Sequence, residues 1–213
     1  RVDPSLVYIC NPNNPTGTLH SVDFIENLLA NFGQTLFLID EAYVEFSGVS
    51  AKELVLKYEN LLISRTMSKA FALANFRFGY LLASKKNIEY ISKIRNPKNI
   101  TTFTQEAVIG ALSDVEYMMK YVKEVNQAKS WFVQQMDKLS DIVSCYDGFG
   151  NFVLIDCKQN ERKLGLLNYL ENRDIFVRNV SQTKYLEDNC IRITVGLMQQ
   201  MKYVFDSIES YIK

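Results

Sequence analysis

The chain carries one histidine, His20, and four cysteines in 213 residues, and this scarcity removes whole classes of chemistry. Zinc needs clustered Cys and His ligands, and Cys10, Cys145, Cys157 and Cys190 form no CxxC pair, so no metal is expected. A nucleophilic triad has only His20 to draw on, and that residue, just before a helix start at Ser21, reads as a surface residue. Each cysteine lies in or beside an apolar stretch, which predicts buried free thiols in a reducing compartment. Long apolar runs are also lacking: none approaches the ~20 residues that span a bilayer, and no basic segment followed by an apolar one opens the chain. A cytoplasmic protein with no membrane partner is the expectation. Neither sign of charge dominates, with 24 basic residues against 24 acidic ones and no basic field in any stretch, so nucleic acid is not expected as a partner either.

What is present reads as a folded enzyme-sized chain. Hydrophobic residues at 47% and charged residues at 23% fit an ordinary globular protein, of one large or two small domains. Leu6–Cys10 is an apolar run that ends in a turn cluster, Asn11-Pro12-Asn13-Asn14-Pro15-Thr16-Gly17. Ser21 caps a helix whose Val22, Ile25, Leu28 and Leu29 follow the helical period. Strand Leu36–Ile39 ends at Asp40, a helix is predicted over Ala51–Tyr58, and strand Leu61–Ser64 leads to Lys69. Strands apolar on both faces, alternating with helices, predict a parallel sheet covered by helices. Phe78–Ala83 follows through a link too short for a crossover helix and is expected to pair antiparallel. Helix is predicted over Lys85–Arg95, and from Thr104 to about Leu139 as either a helix pair or a long connector. The remainder reads as a small α+β unit: strand Gly150–Asp156, helix Lys163–Asn172, strands Ile175–Arg178 and Cys190–Val195, and helix Met198–Ile212.

In open α/β sheets ligands bind beyond the carboxyl ends of the strands, and three predicted strands end in polar groups: Asn14, Asp40 and Lys69. An amine at a strand end, flanked by Thr66 and Ser68 and followed by Arg77, has the parts that a covalently held phosphorylated aldehyde requires: one nucleophile and several phosphate donors. Pyridoxal 5′-phosphate (PLP) is such a cofactor. A carboxylate emerging from Leu-Phe-Leu-Ile is poorly solvated, and a pyridinium N–H suits it. Tyr43 and Asn14 can reach the cofactor's 3′-oxygen. Each has a plainer alternative: Lys69 a solvated lysine with Thr66 and Ser68 as helix caps, Asp40 a helix cap, Tyr43 a packed aromatic, Asn14 a turn residue and Arg77 a surface arginine.

Asn-Pro-Asn-Asn-Pro-Thr-Gly (11–17), Asp-Glu-Ala-Tyr (40–43), Ser-Lys-Ala-Phe (68–71) with Arg77-Phe78-Gly79, and Arg192-Ile193-Thr194-Val195-Gly196 resemble the class I/II aminotransferases of PLP fold type I, the histidinol-phosphate aminotransferases most of all. The resemblance covers nearly the whole chain. It implies an α/β fold: residues 1–112 as the carboxy-terminal part of a large PLP domain with a mostly parallel sheet, and 113–213 as a smaller α+β domain, joined by a helical connector at about 104–139. It implies Lys69 as the lysine bonded to PLP, Asp40 on the ring nitrogen, Tyr43 and Asn14 on the 3′-oxygen, and Thr66, Ser68 and Arg77 near the phosphate. Arg192 would clamp the substrate α-carboxylate and Arg178 the substrate's phosphate. A homodimer is implied, with an amino donor and a 2-oxo acid as small-molecule partners. Family members carry a long stretch before Leu6, so the chain reads as the carboxy-terminal two-thirds or so of such an enzyme, its sheet left with two open edges.

The expected activity is amino transfer. The alternatives are a phosphoamino-acid decarboxylase that keeps the same cofactor residues, and a catalytically incomplete fragment that acts only as an interaction module.

Overall fold

The computed structural model describes residues 3–181, 183–184, 186 and 188–213. The chain divides into two compact units, one taking the chain through Asn13 with Leu19–Lys120, the other Asn14–Thr18 with Tyr121–Lys213.

The first unit is built on a four-stranded sheet in the order β1-β2-β3-β4. These are β1 (Leu6–Cys10), β2 (Leu36–Asp40), β3 (Leu61–Thr66) and β4 (Gly79–Ala83). β1 and β3 flank β2 in parallel, and β4 runs antiparallel to β3 because the link between them holds only a 3-10 turn, Ala74–Phe76. Helix α1 (Val22–Asn31) makes the crossover from β1 to β2. Ser21 Oγ accepts from Phe24 N at 3.1 Å, and Asp23 sits in the first turn, both of which favour the helix start there. Ile25 and Leu29, one turn apart, face the sheet and pack with Phe37, Ile39, Leu61 and Ile63. Each such side chain contributes about 1.5–3 kcal/mol by burial.

The start of β3 is buried on both faces, as apolar parallel runs predict, but β2 is not: Phe37 and Ile39 are buried on one face while Leu36, Leu38 and Asp40 on the other are half-buried, and β1 is more open still. Val7 and Ile9 of this edge strand pack on the core, whereas Leu6 and Tyr8, on the opposite face with half-buried Leu36 and Leu38, are 54% and 57% exposed. β4, the other edge, exposes Gly79, Tyr80 and Leu81. The helix expected at Ala51–Tyr58 is a shorter 3-10 segment, Lys52–Leu56. With Leu54 its one buried residue, it lacks the apolar stripe that would sustain α-helical periodicity. A short helix, α2 (Val44–Ser47), precedes it and ends on Gly48 at φ +69°. Past β4, α3 (Lys85–Ile94) starts at Ser84. The long helical pattern resolves into a pair, α4 (Thr102–Ser113) and α5 (Val115–Met136), parted at Asp114 where φ is −133° and ψ is 63°.

The second unit holds a four-stranded antiparallel sheet in the order β5-β6-β8-β7. Its elements are β5 (Ser144–Tyr146), β6 (Phe152–Asp156), α6 (Asn160–Glu171), β7 (Arg178–Asn179), β8 (Cys190–Thr194) and α7 (Met198–Ile212). Phe132, Met136, Phe152, Ile155, Leu166, Leu170 and Ile208 are among its fully buried side chains. The strand expected at Ile175–Arg178 begins only at Arg178. Ile175 is instead held to the end of α6, its N–H donating to Leu170 O at 3.0 Å, so its burial belongs to a helix terminus.

All four cysteines are thiols outside any disulfide, but only Cys157 and Cys190 are buried; Cys10 and Cys145 are half-buried at strand positions that lie toward sheet edges. His20 is half-buried, not a surface residue: its ring stacks on Phe24 at 4.7 Å, and Asn11 bonds its backbone N–H and C=O. No helix among the described residues is long and apolar enough to cross a membrane.

Candidate active site

In the first unit the register sets Cys10 beside Asp40 and Asp40 beside Ser64, so the three parallel strands end together. Past that edge the chain turns back on itself at residues 67–73, with Met67 N–H donating to Phe78 O and Leu73 N–H to Met67 O at 3.2 and 2.9 Å. Met67 is buried and pins this turn, leaving Lys69 half-buried at its outer side. Lys69 Nζ stands 5.4 Å from the centroid of the Tyr43 ring, and Tyr43 is buried at the start of α2. Among the described residues the amine has no hydrogen-bond or ion-pair partner.

Thr66 and Ser68 are not helix caps. Their hydroxyls lie 2.9 Å apart, and Thr66 Oγ1 also accepts from Ser68 N at 3.1 Å, which shapes the turn that presents Lys69. Arg77 sits at φ 53°, a conformation that costs a non-glycine residue about 1–2 kcal/mol, and its exposed guanidinium donates to Ala74 O at 3.0 Å.

The Asp40 carboxylate accepts two neutral donors, Ala42 N at Oδ1 (3.1 Å) and Tyr8 OH at Oδ2 (2.5 Å). Burial and the Asp40 carboxylate together push the Tyr8 phenol well above its ordinary range. Beside Asp40, the side chain of Glu41 is buried and takes both Nε and Nη2 of Arg65, at 3.0 and 2.8 Å. Ser50 Oγ and Ala51 N donate to the same carboxylate. Tyr8, Glu41, Arg65 and Ser50 escaped the sequence reading. For Tyr8 the usable signal was its place two residues before Cys10, which puts it on the face of Asp40 once the β1–β2 register is known.

In the second unit Arg192 Nη1 donates to Asn14 Oδ1 at 2.7 Å. The Arg192 guanidinium stands 5.3 Å from the Phe152 ring, and its buried Nε has no hydrogen-bond partner among the described residues. Arg178 lies directly across from Arg192 in the β7–β8 ladder, so both arginines project from one face of the sheet. The segment bearing Asn14 is held from below. Gly17 at φ +74° meets Gly148 so closely that a Cβ on Gly17 would fall 2.6 Å from Gly148 Cα. Phe149 N–H donates to Gly17 O at 2.8 Å. Buried Lys129 of α5 donates to the carbonyls of Gly148 and Gly150, which fixes that loop. The structure therefore joins Lys69 with Tyr43, Thr66 with Ser68, and Asn14 with Arg192 and its neighbour Arg178. Asp40 meets Tyr8, a residue outside the predicted set.

Residues 1–208 match the family model described as aminotransferase class I and II. The dihydroxyacetone phosphate transaminase of Campylobacter jejuni is 43% identical over 212 residues, 98% of this chain and 56% of that protein. Histidinol-phosphate aminotransferase 1 of Carboxydothermus hydrogenoformans is 38% identical over 208 residues, 98% of this chain and 57% of that protein. The chain thus spans a little over half the length of these relatives. Among solved structures, histidinol-phosphate aminotransferase from Sinorhizobium meliloti in complex with pyridoxal 5′-phosphate superposes with a TM-score of 0.87 at 25% identity, covering 98% of this chain and 57% of that one. With these matches, the chain belongs to the class I and II aminotransferase family.

Proposed function

We propose that the protein is a PLP-dependent aminotransferase that moves an amino group between a phosphorylated or carboxylated amino donor and a 2-oxo acid such as 2-oxoglutarate. The observation that carries this reading is Lys69, an amine with no ionic partner among the described residues, presented beyond the strand edge that Asp40 also terminates.

The donor set suits the cofactor: an amine for its aldehyde, a carboxylate held by neutral donors for its ring nitrogen, and hydroxyls with a guanidinium for its phosphate. PLP supplies the aldehyde that takes up the amino group and a protonated ring that withdraws electrons from the substrate. Lys69 would hold the cofactor covalently until the substrate amine displaces it, and its freed Nζ would then take the proton from the substrate Cα and return one during transfer. Asp40 keeps the proton on the ring nitrogen. Tyr43 and Asn14 donate to the 3′-oxygen, while Thr66, Ser68 and Arg77 bind the phosphate. Arg192 orients the substrate carboxylate, a role its unpartnered buried Nε supports. Arg178 takes the substrate's phosphate. Its place beside Arg192 supports this, as do two relatives whose names both specify a phosphorylated compound.

The same reading assigns residues 1–112 to the large PLP domain and 113–213 to the small one, with a connector at about 104–139. It also makes the protein a cytoplasmic homodimer, by family resemblance. The test is to give the native protein PLP, histidinol phosphate and 2-oxoglutarate. Glutamate formation that is lost in Lys69→Ala is expected. Release of carbon dioxide with no 2-oxo acid consumed would replace this reading with decarboxylation.

A further inference from the structure

We infer that Tyr8 is a positioning residue for Asp40, holding its carboxylate in the orientation that receives a pyridinium N–H. The inference rests on the cofactor reading above and adds a residue to it. Tyr8 lies one pleat before Cys10, and Cys10 is the register partner of Asp40, so the phenol and the carboxylate share a face of the sheet as diagonal neighbours. Tyr8 OH donates to Oδ2 and Ala42 N to Oδ1, one donor to each oxygen and from different elements. Two such bonds fix the plane of the carboxylate. A carboxylate accepts about four hydrogen bonds, so acceptor capacity is left for a third donor.

Both donors are neutral. No lysine or arginine pairs with Asp40 among the described residues, and its negative charge stays available to a cationic ring rather than being cancelled by a salt bridge. Tyr8 itself is 57% exposed on an edge strand, so packing does not dictate where its hydroxyl goes. The bond to Asp40 does.

The experiment uses the native protein loaded with PLP and four variants: Tyr8→Phe, Asp40→Asn, the two combined, and Lys69→Ala. Tyr8→Phe removes only the hydroxyl at a half-exposed site and leaves the ring in place. It is expected to weaken PLP binding a few-fold, because the Asp40 carboxylate would no longer be held in place before the cofactor arrives. It should also move the pH midpoint of the Lys69-dependent visible band upward, because a ring proton held less firmly withdraws fewer electrons from the Lys69 nitrogen. In the Asp40→Asn background, Tyr8→Phe should change neither quantity further, which a general packing role of Tyr8 would not produce. Parental affinity and midpoint in Tyr8→Phe, or a full additional loss in the Asp40→Asn background, would overturn the role of Tyr8 and leave the cofactor reading standing. Absence of any Lys69-dependent band in the parent would overturn the cofactor reading and this inference with it.

Discussion

Glu41 and Arg65 form an ion pair at 2.8 Å, with side chains only 1% and 16% exposed, between the residue just past the end of β2 at Asp40 and the residue before Thr66 in β3. The pair ties together the strand ends that present the proposed cofactor residues. Its remaining lone pairs and protons are used by Ser50 and Ala51, the condition under which a buried pair holds. Glu41→Gln keeps the shape but strands the guanidinium, and should cost about 3–5 kcal/mol. Urea unfolding checks this: an unchanged midpoint would show that the pair does not hold the strand ends.

Gly17 and Gly148 touch backbone to backbone, with no room for a methyl group on either. Gly148→Ala should destabilise the protein by about 1–3 kcal/mol through overpacking. It should also loosen the segment bearing Asn14, weakening binding of a carboxylate substrate more than turnover. Thermal melting and a comparison of KM with kcat test the two parts separately.

Burial pushes the Glu45 carboxyl above its ordinary value of 4.5; the Glu45 backbone and Arg65 oppose the shift, and Glu41 adds to it. Its Oε2 is buried without a hydrogen-bond partner among the described residues. Folding therefore favours the neutral form of Glu45 relative to the unfolded chain. That contribution is fully present below 4.5 and is lost as pH rises through the folded-state value. Glu45→Gln, permanently neutral, should melt higher than the parent at mildly alkaline pH and show a flatter fall of melting temperature with pH. Parallel curves for parent and variant would contradict this.

Much of the architecture was legible because its signals are local. Ser21 caps α1, Ile25 and Leu29 repeat at helical spacing, and continuous apolar runs give β2 and β3. Lys69 and Asp40 could be singled out for the same reason: a polar group that closes an apolar strand is visible in one dimension. What escaped depends on register or on distant pairing. The Tyr8–Asp40 bond exists because β1 and β2 align Cys10 with Asp40, and the Glu41–Arg65 pair spans two strands. Ile175 misled because a single buried isoleucine fits a strand or a helix terminus equally well, and only the bond to Leu170 decides. A helix pair was one of two readings of the long helical pattern, but the place of its break, Asp114, was not legible since apolar residues continue on both sides of it.

The central claim is that Lys69 is the one lysine that bonds PLP. Incubating the native protein with PLP, reducing with borohydride and mapping the digested peptides by mass spectrometry tests it directly. The account predicts a pyridoxyl label on Lys69, lost in Lys69→Ala and not transferred to another lysine. A label on other lysines with Lys69 unmodified, or no stable label, would contradict it.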